Sequence, residues 1–177
     1  MLYLLFEEEK GCKMELDSME VRIVQKIALE RFTSNRKSGV HDAKMSERSN
    51  RKTDEDGFGA ELAFCKLCNL YPDFSIGIRS GGFDCKLNGN RVDVKQTPYE
   101  NGRLLGWIKK QRGESDIYVL MIGTLPTFRF VGWTTDSELI NKKNITNLGH
   151  GETYAMAQYQ LNLSLNELRN YENMSSL

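Results

Sequence analysis

The chain has 177 residues, 40% of them apolar and 27% charged, with 24 basic side chains balancing 24 acidic ones. That length carries one domain with a full core, and the composition excludes collagen-like, coiled-coil and disordered classes. At zero net charge, a nucleic-acid surface has to come from local segregation of charge.

The opening apolar run, residues 2–6, lacks a basic flank and leads straight into Glu7, Glu8 and Glu9, so neither a signal peptide nor a membrane span is expected. Cysteines at positions 12, 65, 68 and 85 are then expected as free thiols, and the protein as cytoplasmic. Val21, Val24, Ala28 and Phe32 recur at the spacing of one helical face, which predicts a helix over 19–32. Residues 33–56 show no apolar periodicity and predict a long exposed loop. Between 31 and 52, seven basic side chains face Asp42 and Glu47, a local charge of +5. A solvated face and a phosphate-contacting one are the two readings, with Arg36, Lys37, Arg51 and Lys52 as candidate contacts.

A second helix is expected from the acids at 54–57 to about residue 70, before Pro72. Strands are predicted over 74–79, 82–87, 90–97, 103–109, 116–122 and 127–133, with a turn at 124–126. A short helix at 137–141, a glycine-bearing loop around His150 and a terminal helix over 163–171 complete the chain. This order predicts an α/β fold, a central mixed sheet flanked by helices, in a single domain over 1–177 whose N-terminal helix and basic loop occupy 19–56.

Asn88-Gly89 between two alternating segments is the strongest local signal for a two-residue hairpin. That turn pairs Leu87 with Asn90, Lys86 with Arg91 and Cys85 with Val92, and places Asp84 opposite Asp93. Alternation puts Asp84, Lys86, Arg91, Asp93 and Lys95 on one face and Phe83, Cys85, Val92 and Val94 on the other. Carboxylates opposed at about 5 Å between Cβ atoms repel unless a cation sits between them. Mg²⁺, which takes carboxylate oxygen and keeps several waters, suits an open pair. The competing reading is a surface hairpin whose acids are offset by Lys86, Arg91 and Lys95.

Glu61 shares its helix face with Phe58, Phe64 and Cys65. A carboxylate buried among such residues needs a partner, a shifted pKa or a metal. It becomes a third acid of the cluster if its helix packs on the polar side of the hairpin. Lys95, two residues beyond Asp93 on the same strand face, can reach a metal-held water or phosphate. An acid-acid-lysine grouping points to phosphodiester hydrolysis.

Gly57-Phe58-Gly59-Ala60-Glu61 on a helix, then Gly82-Phe83-Asp84, then Val92-Asp93-Val94-Lys95-Gln96 resemble the PD-(D/E)XK nuclease superfamily over residues 57–97. The order is similar to that of Holliday junction resolvases and restriction endonucleases, and the whole chain resembles small nucleases carried by bacteriophages. The resemblance implies a restriction-endonuclease-like core over 57–133, with Asp84, Asp93 and the Val94 carbonyl as metal ligands and Glu61 completing the shell. It implies Lys95 as the catalytic lysine and Gln96 as its polar helper. It further implies Mg²⁺ as cofactor with Mn²⁺ as substitute, DNA as partner, a homodimer where two strands are cut, and a host cytoplasm as location if phage-encoded. Phe83 stands where the nominal motif has proline, and Asp93 where the longer glutamate is commoner.

Cys65-Lys66-Leu67-Cys68 has a zinc-like spacing but no second pair, so both thiols are expected as buried free cysteines. Trp107 and Trp133, within apolar runs, are expected in the core, and His41 and His150 are assigned no role. Residues 86–112 carry seven bases against two acids, a second local +5. Arg79, Arg103, Lys109 and Lys110 are therefore further candidates for phosphate contacts. The expected function is a metal-dependent DNA endonuclease; the alternative is an inactive nuclease-like module that binds DNA or protein.

Overall fold

The computed structural model describes residues 12–37, 50–76 and 82–172, with backbone alone for 35–37 and 50. Asp17 starts helix α1 (Ser18–Lys37): its carboxylate accepts the Met19 and Glu20 amides at 2.8 and 2.9 Å, and Glu20 reaches back to the Asp17 amide at 2.7 Å. Val24 and Ala28 are buried and Val21 partly so, as the spacing predicts, and Ile27 joins them on that face. Helix α2 (Asn50–Leu67) packs against α1.

The expected loop over 33–56 is corrected at both ends, since 33–37 and 50–56 are helical and only 38–49 lie outside the described residues. Ion pairs one helical turn apart replace the missing apolar periodicity: Arg51 meets Glu55 at 2.8 Å and Lys52 meets Asp56 at 3.1 Å. Asp56 is fully buried and also accepts the Leu125 amide at 2.9 Å.

The main sheet is mixed and five-stranded, in the order β1 (Lys13–Glu15), β6 (Thr127–Thr135), β5 (Ile117–Thr124), β3 (Asn90–Thr97) and β2 (Cys85–Leu87). The β3–β5 pair is parallel and the others antiparallel. On one face Val92, Val94, Val119 and Met121 are buried with Phe58, Ala63 and Phe64 of α2. Gly59 permits this approach, because a Cβ there would lie 2.8 Å from the Phe128 ring. On the other face Tyr118, Leu120 and Ile122 pack with Leu104, Leu139 and Met156.

That second core is covered by an antiparallel sheet of β4 (Leu104–Trp107), β8 (Glu152–Met156) and β7 (Ile145–Asn147), together with α3 (Asp136–Leu139). The predicted 103–109 strand is thus β4, and the loop around His150 is the connection of the unpredicted β7–β8 hairpin. Residues 74–76 are not a strand, and 77–81 lie outside the described residues. The terminal helix α4 is confined to Leu165–Arg169. Among the described residues, no helix is long and apolar enough to cross a membrane.

Candidate active site

The Asn88-Gly89 turn forms as expected, with φ of 49° and 81°, and the register is Leu87–Asn90, Lys86–Arg91 and Cys85–Val92. Asp84 does not continue it. Strand β2 ends at Cys85, and the Asp84 amide donates to the Val92 carbonyl at 2.8 Å, one residue off the pairing that would set it opposite Asp93. The Asp84 carboxylate instead turns along β3 and accepts the Val94 amide at 2.7 Å. In an extended strand the N–H and C=O of one residue point to the same side, so the Val94 carbonyl faces that same edge.

Asp93 is only 3% exposed. Lys95 meets one of its carboxylate oxygens at 2.6 Å, and the Lys110 ammonium meets the other. Lys110 also donates to the Gly82 carbonyl at 3.0 Å and lies 5.1 Å from the centre of the Tyr118 ring. At 9% exposure, it belongs to the floor of the site, which corrects its placement among surface phosphate contacts. Burial is the largest influence on Lys95 and opposes its charge, but the attraction and hydrogen bond of Asp93, with Asp84 and Glu61 beyond, outweigh it. The ammonium is therefore held above its ordinary pKa.

Helix α2 packs on the apolar face of β3, so the condition that would set Glu61 on the polar side of the hairpin is not met. Glu61 nevertheless lines the same cleft as Asp84 and Asp93, because β2 stops short and leaves that edge of β3 open. Its carboxylate meets Arg31 at 3.3 Å. Arg31 is itself anchored by the Asp73 and Ser75 carbonyls at 2.5 and 3.1 Å and lies 4.3 Å from the centre of the Phe58 ring.

The cleft measures about 380 Å³ and gathers Glu61, Asp84, Asp93, Val94 and Lys95, with Trp107 from the end of β4 and Lys110 and Glu114 from the β4–β5 connection. Gln96 is not brought to it: the next residue along a strand points to the other face, and Gln96 donates to the Gly123 carbonyl at 2.6 Å. Trp107 is 63% exposed at the cleft, against the expectation of a core residue, whereas Trp133 is buried at 6% with its indole N–H on the Ser164 carbonyl.

Among the described residues, no three His, Cys, Asp or Glu side chains form a group that could hold a metal ion, so Glu61, Asp84 and Asp93 do not assemble as a three-carboxylate shell. The donors that line the cleft are still hard oxygens, two aspartates and a backbone carbonyl. Such a set fits Mg²⁺, which is held by one or two carboxylates and retains waters and substrate phosphate as its other ligands. The lining side chains include four carboxylates and two ammoniums, with the Arg31 guanidinium paired to Glu61.

Arg51 and Lys52 are engaged in the helical ion pairs described above. The Arg36 and Lys37 side chains and Arg79 lie outside the described residues. Arg103 and Lys109 are exposed at either end of β4. All four cysteines are free. Burial pushes the Cys68 thiol up to about 11, away from the thiolate that zinc requires. No protein-family model, curated protein or solved structure matches this chain.

Proposed function

We propose that the chain is a Mg²⁺-dependent DNA nuclease, an endonuclease with a restriction-endonuclease-like core, acting at the open edge of β3. The observation that carries this reading is the convergence of Asp84, Asp93, Val94 and Lys95 in one cleft, with Glu61 beside them. Held by Asp84, Asp93 and the Val94 carbonyl, Mg²⁺, or Mn²⁺ in its place, would supply a Lewis acid for the phosphodiester and a water of lowered pKa. The Val94 amide orients the Asp84 carboxylate, and two ammoniums fix Asp93. Lys95, charged and 37% exposed, offers its ammonium to a phosphate oxygen as negative charge develops. Glu61, held by Arg31, bounds the site on the helix side.

Incubation of linear, circular, branched and single-stranded DNA with Mg²⁺ or Mn²⁺ tests the reading. Phosphodiester cleavage that depends on the cation is expected, and none on any substrate overturns it. One observation favours the second reading, a nuclease-like binding module: Asp93 already has two cationic partners. That reading expects no calorimetric binding of Mn²⁺ and DNA binding that ignores divalent cations.

A further inference from the structure

We infer that Trp107 is a stacking platform for an unpaired base, which makes the substrate a single-stranded or locally unstacked stretch of DNA. The inference rests on the nuclease reading and adds the class of substrate to it. Trp107 closes β4 opposite Thr153, and the alternation that buries Leu104 and Gly106 leaves its indole 63% exposed. The fold gains little from so large an apolar ring in water, and the contrast with Trp133, 6% exposed and hydrogen-bonded, shows how this chain treats a structural tryptophan.

The surroundings of the ring identify its ligand. It lines the cleft that holds Asp84, Asp93 and Lys95, and the Lys109 ammonium lies over the ring, 5.6 Å from its centroid. A base stacks on the indole in place of that flexible side chain or on the opposite face, and the ammonium then meets the phosphate of the same nucleotide. Inside a duplex both faces of each base are covered by neighbours, so away from the ends only a base already out of the stack can lie on the indole. A phosphodiester next to such a base would then be presented to the acids and Lys95.

Tryptophan emission of the full chain tests this, titrated with a single-stranded oligonucleotide and with its duplex, using Ca²⁺ in place of Mg²⁺ to suppress cutting. The chain has two tryptophans, and with Trp133 buried, quenching reports Trp107. The expected result is quenching by the single strand, with affinity for it falling about 5- to 150-fold in Trp107→Ala and largely kept in Trp107→Phe. Absence of quenching, no single-strand binding, or equal single-strand affinity in Trp107→Ala overturns the platform. Cleavage in Mg²⁺ is read separately. Quenching without cleavage removes the nuclease reading and leaves the platform, whereas cleavage with no effect of Trp107→Ala on single-strand binding does the reverse. An unchanged melting temperature in Trp107→Ala confirms that the variant is folded.

Discussion

Two acid–cation sites stand two residues apart on β3 and are built on opposite plans. Arg91 grips Asp116 with Nη2 on Oδ1 at 2.8 Å and Nε on Oδ2 at 3.0 Å, and its own amide adds a third bond to that carboxylate at 2.8 Å. One acid meets one cation in a matched planar fork. The hydrogen bonds from Arg91 hold the Asp116 carboxyl below its usual range, and those to Asp116 raise Arg91. At Asp93, by contrast, two ammoniums share one carboxylate in an open cleft that also holds Asp84, Glu61 and Glu114. The first arrangement is complete as it stands. The second gathers charges of both signs around an open cleft, which suits a ligand that brings its own.

The largest effect expected from this contrast is in Asp84→Asn, which should lower Mg²⁺-dependent cleavage by about 10³-fold or more. The amide oxygen can still accept the Val94 N–H, so thermal unfolding should not change. Lys95→Ala should follow with a loss of about 10²–10³-fold in rate and little change in DNA affinity. Lys95→Arg should not rescue the rate, because a planar fork does not replace a compact ammonium. With its pKa raised, Lys95 contributes stability fully below its unfolded value of about 10.4, and loses it only as pH rises through the higher folded value. The pH–rate profile should therefore show no loss from Lys95 near neutrality.

Stability separates the sites next. Asp93→Asn strips the counter-charge from Lys110, which is 9% exposed, and is expected to cost about 3–5 kcal/mol in denaturant unfolding. Asp116→Asn, in a pair whose side chains are 35% and 20% exposed, should cost about 1 kcal/mol and leave cleavage intact. Since the folded Asp116 carboxyl is depressed, its contribution is present above about pH 4, the unfolded value, and is lost as pH falls through the folded one. The variant should flatten that acid limb. Smallest is the change in salt dependence for the double variant Arg51→Gln, Lys52→Gln, whose cations serve Glu55 and Asp56. The slope of log affinity against log salt should not move, whereas Arg103→Gln with Lys109→Gln should flatten it by about 1.4 on single-stranded DNA.

What could be read from the chain follows the range of the signals. The hairpin register is local, dictated by a dipeptide that accepts positive φ at both positions, and it brought Asp93 and Lys95 to one face correctly. Asp84 escaped that logic because β2 ends at Cys85, and nothing in a short strand marks where its pairing stops. The first turns of α2 carry no apolar periodicity, and their helical mark is the spacing of Arg51–Glu55 and Lys52–Asp56. Arg31 at Glu61 and Lys110 at Asp93 are contacts across 30 and 17 residues with no local mark. Hydrophobicity alone points Trp107 to the core, and only the pairing of β4 with β8 reveals which side of that strand is covered.

The central claim is that the acids at the edge of β3 serve a cation-dependent cut in DNA. A single time course tests it most directly: wild type and Asp84→Asn side by side on DNA with Mg²⁺, interrupted by a chelator and resumed with fresh Mg²⁺. The account predicts cleavage by the wild type that stops with the chelator and resumes with the metal, and almost none by the variant. No cleavage by the wild type, or cleavage that Asp84→Asn leaves intact, would contradict it.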